Sequence, residues 1–72
     1  MQEITAPLAG KIFKLKVEVG TKLEEDDEAV IIEALKMETA VFSPCDGTVK
    51  EIRVKEGQEV EEDDVLVIIE DS

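Results

Sequence analysis

Lys36 is the side chain whose sequence surroundings most suggest a chemical role. It stands between two apolar residues, Leu35 and Met37, in a short segment that joins two strand-like runs, residues 29–34 and 38–42. So short a connection predicts a tight hairpin, which normally contains Asn or Gly because positive φ angles are needed. Leu35 and Lys36 depart from that preference, and such departures often mark functional sites. The pattern therefore indicates an exposed, candidate nucleophilic amine, with a simple solvated lysine as the alternative that it leaves open.

Other enzymatic chemistry is largely excluded by composition. The chain has no histidine, and its serines are Ser43 and Ser72 alone, so a Ser-His-Asp triad, a Cys-His dyad and a histidine-based metal site are impossible within it. Cys45 is the single cysteine and allows no internal disulfide; as the repeat partner of an apolar residue, Leu8, it is expected to be a half-buried filler. Seventy-two residues form one small core without a deep cleft, which argues against an enzyme.

The formal net charge of −11 restricts the partners. It argues against nucleic acid and anionic lipid, and it favours positively charged protein surfaces. The apolar runs are too short to span a bilayer, the N-terminus does not resemble a signal peptide, and we expect a cytoplasmic location. Two acidic tetrads, residues 24–27 and 61–64, could suggest a cation site. Their position between strand-like segments favours turns instead.

The chain contains an internal repeat. Residues 7–33 align without a gap with residues 44–70, and twelve of the 27 positions are identical. Two copies within one small domain predict halves related by a pseudo-twofold axis, because solenoid arrays need three or more copies. Each half reads as strands: residues 11–17 and 48–54 alternate polar with apolar, and residues 29–34 and 65–69 are β-branched runs expected to be buried on both sides. The fold class is therefore all-β, as two small packed sheets or a flattened antiparallel barrel.

The segment Glu33–Glu38, Glu-Ala-Leu-Lys-Met-Glu, resembles the attachment motif of the biotinyl domain family of biotin-dependent carboxylases and decarboxylases, usually Glu-Ala-Met-Lys-Met-Glu. Three further elements are similar to those of the family: Ala-Pro-Leu-Ala-Gly at 6–10, Ser-Pro-Cys-Asp-Gly at 43–47 and Val-Lys-Glu-Gly at 54–57. The resemblance covers nearly the whole chain in order. It implies a barrel-sandwich hybrid of two four-stranded sheets and a single carrier domain, residues 1–72, with half-repeats 7–33 and 44–70 and an attachment hairpin at 34–43.

The resemblance also implies roles for the hairpin residues. Lys36 would carry covalent biotin, Leu35 and Met37 would be recognised by a biotin protein ligase, and Glu33, Ala34 and Glu38 would flank the motif. The biotin would act as a carboxyl carrier between a biotin carboxylase and a carboxyltransferase, so the domain itself would be non-catalytic. The twofold axis would place the hairpin opposite the two termini.

Rival interpretations remain open at this point. A lipoyl domain is similar in fold, but its lysine usually lies in Asp-Lys-Ala, unlike Leu35-Lys36-Met37. An unmodified structural module of lipoyl type would leave the apolar tip unexplained. Leu35 stands where the biotinyl family usually has methionine, and the parent carboxylase or decarboxylase is not indicated.

Overall fold

The computed structural model describes residues 1–71, and within them every regular element is a β-strand. The strands are β1 (Gln2–Thr5), β2 (Gly10–Leu15), β3 (Lys22–Leu23), β4 (Glu28–Ala34), β5 (Met37–Phe42), β6 (Gly47–Ile52), β7 (Glu59–Val60) and β8 (Val65–Asp71). They form two four-stranded sheets, ordered β1-β8-β6-β3 and β5-β4-β2-β7, and all pairings are antiparallel. The predicted all-β fold of two four-stranded sheets is confirmed. Ser72, the last residue of the predicted domain, lies outside the described residues.

A single aliphatic core lies between the two sheets. Its largest fully buried side chains come from both sheets: Ile12, Val30, Ile32, Val49, Leu66, Val67 and Ile69. Burial of these side chains stabilises the fold through removal of apolar surface from water. As predicted, the β-branched runs in β4 and β8 are buried or half-buried along most of their length. Cys45 packs half-buried against this core, as expected for an apolar filler.

The pseudo-twofold relation extends to single hydrogen bonds. Ala6 N donates to Asp64 O at 2.9 Å, and Ser43 N donates to Asp27 O at 2.8 Å. Each of these residues lies 37 positions from its counterpart in the other bond, 6 with 43 and 27 with 64. The two bonds join the halves in both directions. The two halves are thus one β-unit repeated around a pseudo-twofold axis, as the sequence predicted.

β-Bulges follow the same symmetry. Pairing shifts by one residue at Phe13 in β2 and at Lys50 in β6, and again at Ala29 in β4 and Leu66 in β8. A bulge places two successive residues on one face. This is why Ala29 and its neighbour Val30 are both buried, although strict alternation would expose one of them.

The acidic tetrads form turns. Asp26 and Asp63 adopt positive φ angles of 74° and 72°, which Asp tolerates better than most residues. In each tetrad the last carboxylate accepts a hydrogen bond from the first backbone N–H, Asp27 Oδ2 from Glu24 N and Asp64 Oδ2 from Glu61 N, both at 2.9 Å. The predicted turns therefore explain why acidic residues occupy these positions.

Some predicted boundaries differ from the structure. β2 ends at Leu15 and β6 at Ile52, two residues before the ends that the alternation predicted, although Val17 and Val54 beyond them are still buried. The alternation of buried and exposed side chains therefore continues beyond the last paired residues of these strands. Met37 belongs to β5 rather than to the connection, which shortens the hairpin turn to two residues.

Candidate functional site

The hairpin between β4 and β5 carries Lys36 at its tip. Ala34 pairs with Met37, so that Leu35 and Lys36 are the only residues of the turn. Their φ angles are 52° and 65°. Positive φ at both central residues is what the type I′ hairpin turn requires, and residues with a Cβ adopt it at a cost. The sequence prediction that this turn is locally unfavourable is confirmed.

The turn presents its side chains to solvent. Leu35 is 95% exposed and Met37 is 69% exposed, and Lys36 is also exposed. Within residues 1–71, none of the side-chain hydrogen bonds or ion pairs involves the Lys36 amine. The tip therefore offers a free primary amine between two apolar side chains that contribute little to the core.

Carboxylates stand below the tip. Glu33 and Glu38 pair directly across the β4–β5 ladder and are both exposed. Like charges in this position destabilise a ladder by up to about 1 kcal/mol. Lys11 of β2 pairs with Glu33 from the other side and offsets part of that repulsion. The strained turn and the facing pair of carboxylates are two local features of the hairpin that folding alone would not favour.

The structure thus brings all six predicted motif residues into one hairpin. Glu33 and Ala34 end β4, Met37 and Glu38 begin β5, and the remaining two form the turn. The rigid part of the site is the ladder: behind the tip, the buried side chain of Ile32 fixes β4 in the core. A reacting group attached to Lys36 would therefore move on a flexible side chain from a fixed base.

An open notch beside the tip was not predicted from the sequence. It has a volume of about 650 Å³ and is lined by residues of three separate segments, 9–11, 33–35 and 59–61. Only Leu35 and the two residues before it belong to the attachment motif. The other segments reach the tip because β2 lies between β4 and β7 in the sheet. The sequence carries no signal for this meeting, because the repeat relates each segment to its counterpart 37 residues away and not to the other two segments.

No cluster of three or more His, Cys, Asp or Glu side chains suited to a metal ion occurs among residues 1–71. The same residues contain no helix with the length and apolarity needed to cross a membrane.

The free amine fits a covalently attached group. An amide bond to biotin requires a primary amine that a partner enzyme can reach, with room for the attached chain. Lys36 meets both conditions, because its side chain is exposed and lies in a two-residue turn at the end of a ladder.

The chain is similar to known proteins. The family described as Biotin-requiring enzyme matches residues 2–69. The α subunit of mitochondrial methylcrotonoyl-CoA carboxylase from Oryza sativa subsp. japonica is 38% identical over 42 residues, which is 58% of this chain and 6% of that protein. Mitochondrial pyruvate carboxylase from Homo sapiens is 40% identical over 42 residues, 58% of this chain and 4% of that protein.

A solved structure shows the same fold. A single-chain, multi-domain long-chain acyl-CoA carboxylase superposes with a TM-score of 0.92 at 24% identity, covering 99% of this chain and 7% of that one. The chain thus spans less than a tenth of the length of these relatives. The family and its relatives imply covalently attached biotin as the cofactor, as the sequence predicted. With a match from residue 2 to residue 69, the chain belongs to the biotin-requiring enzyme family, as a biotinyl domain of the biotin/lipoyl attachment type.

Proposed function

We propose that this chain is a biotin carboxyl carrier whose biotin is attached to Lys36 by a biotin protein ligase. The attached biotin would carry CO₂ from a biotin carboxylase to a carboxyltransferase that acts on an acyl-CoA or a 2-oxo acid. The observation that carries the proposal is the free, exposed amine of Lys36 in a strained two-residue turn. The names of the relatives, a methylcrotonoyl-CoA carboxylase and a pyruvate carboxylase, support the two acceptor classes.

Attachment requires one acyl transfer. The Lys36 Nζ attacks the carbonyl carbon of biotinyl-adenylate, a C–N bond forms, the C–O bond to the phosphate breaks, and AMP leaves. The amine attacks only when deprotonated, and lysine amines in water are protonated at neutral pH. The chain has no histidine to accept that proton. We infer that the ligase supplies the base or the desolvation, and that this chain supplies position.

Leu35 and Met37 are proposed as ligase contacts. Their exposure leaves two apolar side chains on either side of the amine, where burial against a partner would gain free energy. Glu33, Ala34 and Glu38 set the flanks: Ala34 closes the last pair of the ladder, and the two carboxylates offer charge to a basic partner surface. The net charge of −11 extends that electrostatic preference over the whole domain.

Biotin held on Lys36 would supply a ureido nitrogen able to accept a carboxyl group derived from bicarbonate with ATP. The chain contributes a stiff base and a flexible lysyl arm, and the reactions belong to the partner enzymes. The proposed unit is the single domain 1–72, with half-repeats 7–33 and 44–70 and the attachment hairpin 34–43. The Met1 amine lies 3.5 Å from Asp71 Oδ1, so that the ends of the described chain meet.

Coexpression with a biotin protein ligase tests the attachment. The intact wild-type chain should gain one biotinyl group, and Lys36→Arg should gain none. Lys22→Arg, which changes an exposed lysine in β3, is the matched control and should be labelled like wild type. An unmodified wild-type chain beside a ligase that labels its own substrate would refute the proposal. A lipoyl adduct formed with a lipoyl ligase instead would identify a lipoyl domain.

Carboxyl transfer is tested with the biotinylated chain. Incubated with a biotin carboxylase, ATP and radiolabelled bicarbonate, it should acquire label that the unmodified chain and Lys36→Arg do not. Label on none of the three, with free biotin carboxylated in the same mixture, would contradict the carrier role and leave the attachment result standing.

A further inference from the structure

The notch beside the tip has a counterpart elsewhere in the fold. Residues 22–24 and 46–48 line a second notch of about 340 Å³. These residues correspond, at the repeat spacing of 37, to residues 59–61 and 9–11 of the larger notch. The frame of both cavities is therefore set by the repeat, and the second notch serves as an internal comparison.

The larger notch differs by the hairpin. Glu33, Ala34 and Leu35 form its third wall. Their repeat counterparts are residues 70–72, of which Ser72 lies outside the described residues. The volumes of both notches, about 650 Å³ and about 340 Å³, lie within the range of roughly 300–1,000 Å³ that small-molecule sites occupy, so position and not size distinguishes the larger notch. The larger notch lies directly beside the residue to which a covalently bound small molecule would be tethered.

We propose that this notch is a resting site for the fused ureido–thiolane ring of the biotin that Lys36 carries. The inference rests on the proposed function, because it takes Lys36 as the attachment residue. Leu35 lines the notch and is the direct chain neighbour of Lys36. The lysyl and valeryl chains form a long flexible arm that can fold back over Leu35 to the notch.

The lining suits the ring chemically. Ala9, Ala34 and Leu35 offer apolar surface to the thiolane and the arm. In the sheet register Lys11 lies opposite both Glu33 and Glu59, and these three exposed side chains form a row of alternating charge on the outer face of the sheet, beside the notch.

Biotin's ureido group has two N–H donors and one carbonyl acceptor. The carboxylates of Glu33, Glu59 and Glu61 can accept from the N–H groups, and the Lys11 amine can donate to the carbonyl. The lining has three carboxylates and one lysine, so it favours the uncharged biotin ring over the carboxylated ring, which is an anion.

Weak intrinsic affinity is sufficient because the ring is tethered. A short flexible linker gives an effective concentration in the millimolar range. A site with a dissociation constant of about 1 mM would then hold the ring roughly half of the time. The ring would exchange between this resting site and solvent, and a partner's active site would compete with the notch for it.

NMR of the modified chain tests the proposal. Against the unmodified chain and against Lys36→Gln, which removes the charge without adding a ring, biotinylation should shift the amides of Ala9, Gly10 and Val60. It should also give NOEs from ring protons to the Ala9 and Ala34 methyl groups. The counterpart positions Leu23, Asp46 and Gly47 should remain unchanged. Changes confined to residues 35–37, or equal changes at both notches, would overturn the resting site.

Variants of the lining give the second measurement. Glu61→Gln and Glu59→Gln should reduce the shift differences at Ala9 and Gly10 by about threefold, because a charge-assisted acceptor becomes a weaker neutral one. Glu24→Gln, the repeat counterpart of Glu61→Gln, is the matched control and should have no effect. Full shift differences in both notch variants would contradict the assigned chemistry.

The ring can be attached without the ligase. Lys36→Cys in a Cys45→Ala background, labelled with a thiol-reactive biotin of similar arm length, should reproduce the shifts at the notch. If the ligase fails to modify wild type while this labelled variant shows the shifts, the proposed attachment fails and the notch stands. Labelled variant and ligase-modified chain both lacking the shifts would refute the notch alone.

Discussion

At the residue scale, the tip is the place where sequence reasoning was most informative. The absence of Asn or Gly between two strand-like runs predicted a strained turn, and Leu35 and Lys36 both have positive φ. The same sequence pattern predicted the free amine of Lys36. The sequence did not predict the lining of the notch, because Ala9 and Val60 lie far from the motif in sequence and meet it only through the order of the strands.

Replacing Leu35 should separate folding from recognition. Asn adopts positive φ more readily than Leu and is favoured in type I′ turns, so Leu35→Asn should raise the free energy of unfolding by about 1 kcal/mol. The side chain makes almost no core contact, since it is 95% exposed, and little apolar burial is lost. We also expect slower biotinylation, measured as the initial rate with the ligase, alongside denaturant unfolding.

Met37→Asn is the control for that substitution. Met37 is a strand residue without positive φ, and Asn is unfavourable in strands. The free energy of unfolding of the Met37→Asn variant should therefore fall by up to about 1 kcal/mol. Both variants lose an apolar neighbour of Lys36. A stabilised Leu35→Asn that is labelled at the wild-type rate would show that Leu35 is no ligase contact.

At the element scale, the longer strands were predictable and the short ones were not. β2, β4, β5, β6 and β8 each contain enough residues for alternation or a β-branched run to show. β3 and β7 have two residues each, which is too few for any period, and β1 was not delineated. Bulges such as that at Phe13 also break the period of two, because they depend on pairing with a neighbouring strand.

Gly10 and Gly47 allow a test of how β4 supports the tip. A Cβ at Gly10 would lie 2.7 Å from Glu33 O and from Ile32 Cγ2, and one at Gly47 would lie 2.5 Å from Ile69 Cγ2 and 2.6 Å from Glu70 O. Either change to alanine overpacks the interior and should lower the free energy of unfolding by roughly 1–3 kcal/mol.

Only Gly10→Ala should disturb biotinylation. Its clash falls on β4 at the base of the hairpin, whereas the clash of Gly47→Ala falls on β8 next to Asp71. Urea unfolding gives the stability of both variants, and the ligase rate should be measured well below their unfolding temperatures. Equal loss of labelling in the two variants, at equal stability, would show that the base of the hairpin plays no special part.

At the scale of the whole molecule, the pseudo-twofold axis exchanges the hairpin with the chain ends. The last pair of the β4–β5 ladder, Ala34 with Met37, corresponds at the repeat spacing to Asp71 and to the position before Met1. The repeat therefore predicts that the attachment hairpin and the two described chain ends lie at opposite ends of the domain.

The contact between the chain ends makes this arrangement measurable. The pKa of Asp71 lies below its ordinary value, because its carboxylate is held by a backbone hydrogen bond and by the positive Met1 amine 3.5 Å away. A carboxyl group with a lowered pKa in the folded state stabilises the fold above its unfolded pKa. That contribution is lost as pH falls through the folded value. The side chain is exposed, so the effect on stability is small.

A flexible linker fused ahead of Met1 should therefore raise the pKa of Asp71 toward its ordinary value, because an uncharged peptide nitrogen replaces the amine. An NMR titration of the Asp71 carboxyl carbon measures the change, and Glu18, far from Met1 in sequence and in an unrelated turn, serves as the internal reference. The same fusion should be biotinylated on Lys36 at the rate of the unextended chain, since the repeat predicts that the linker lies at the opposite end. A raised Asp71 pKa together with a lost ligase reaction would mean that the ends and the tip are not independent, and the two-ended arrangement would have to be abandoned.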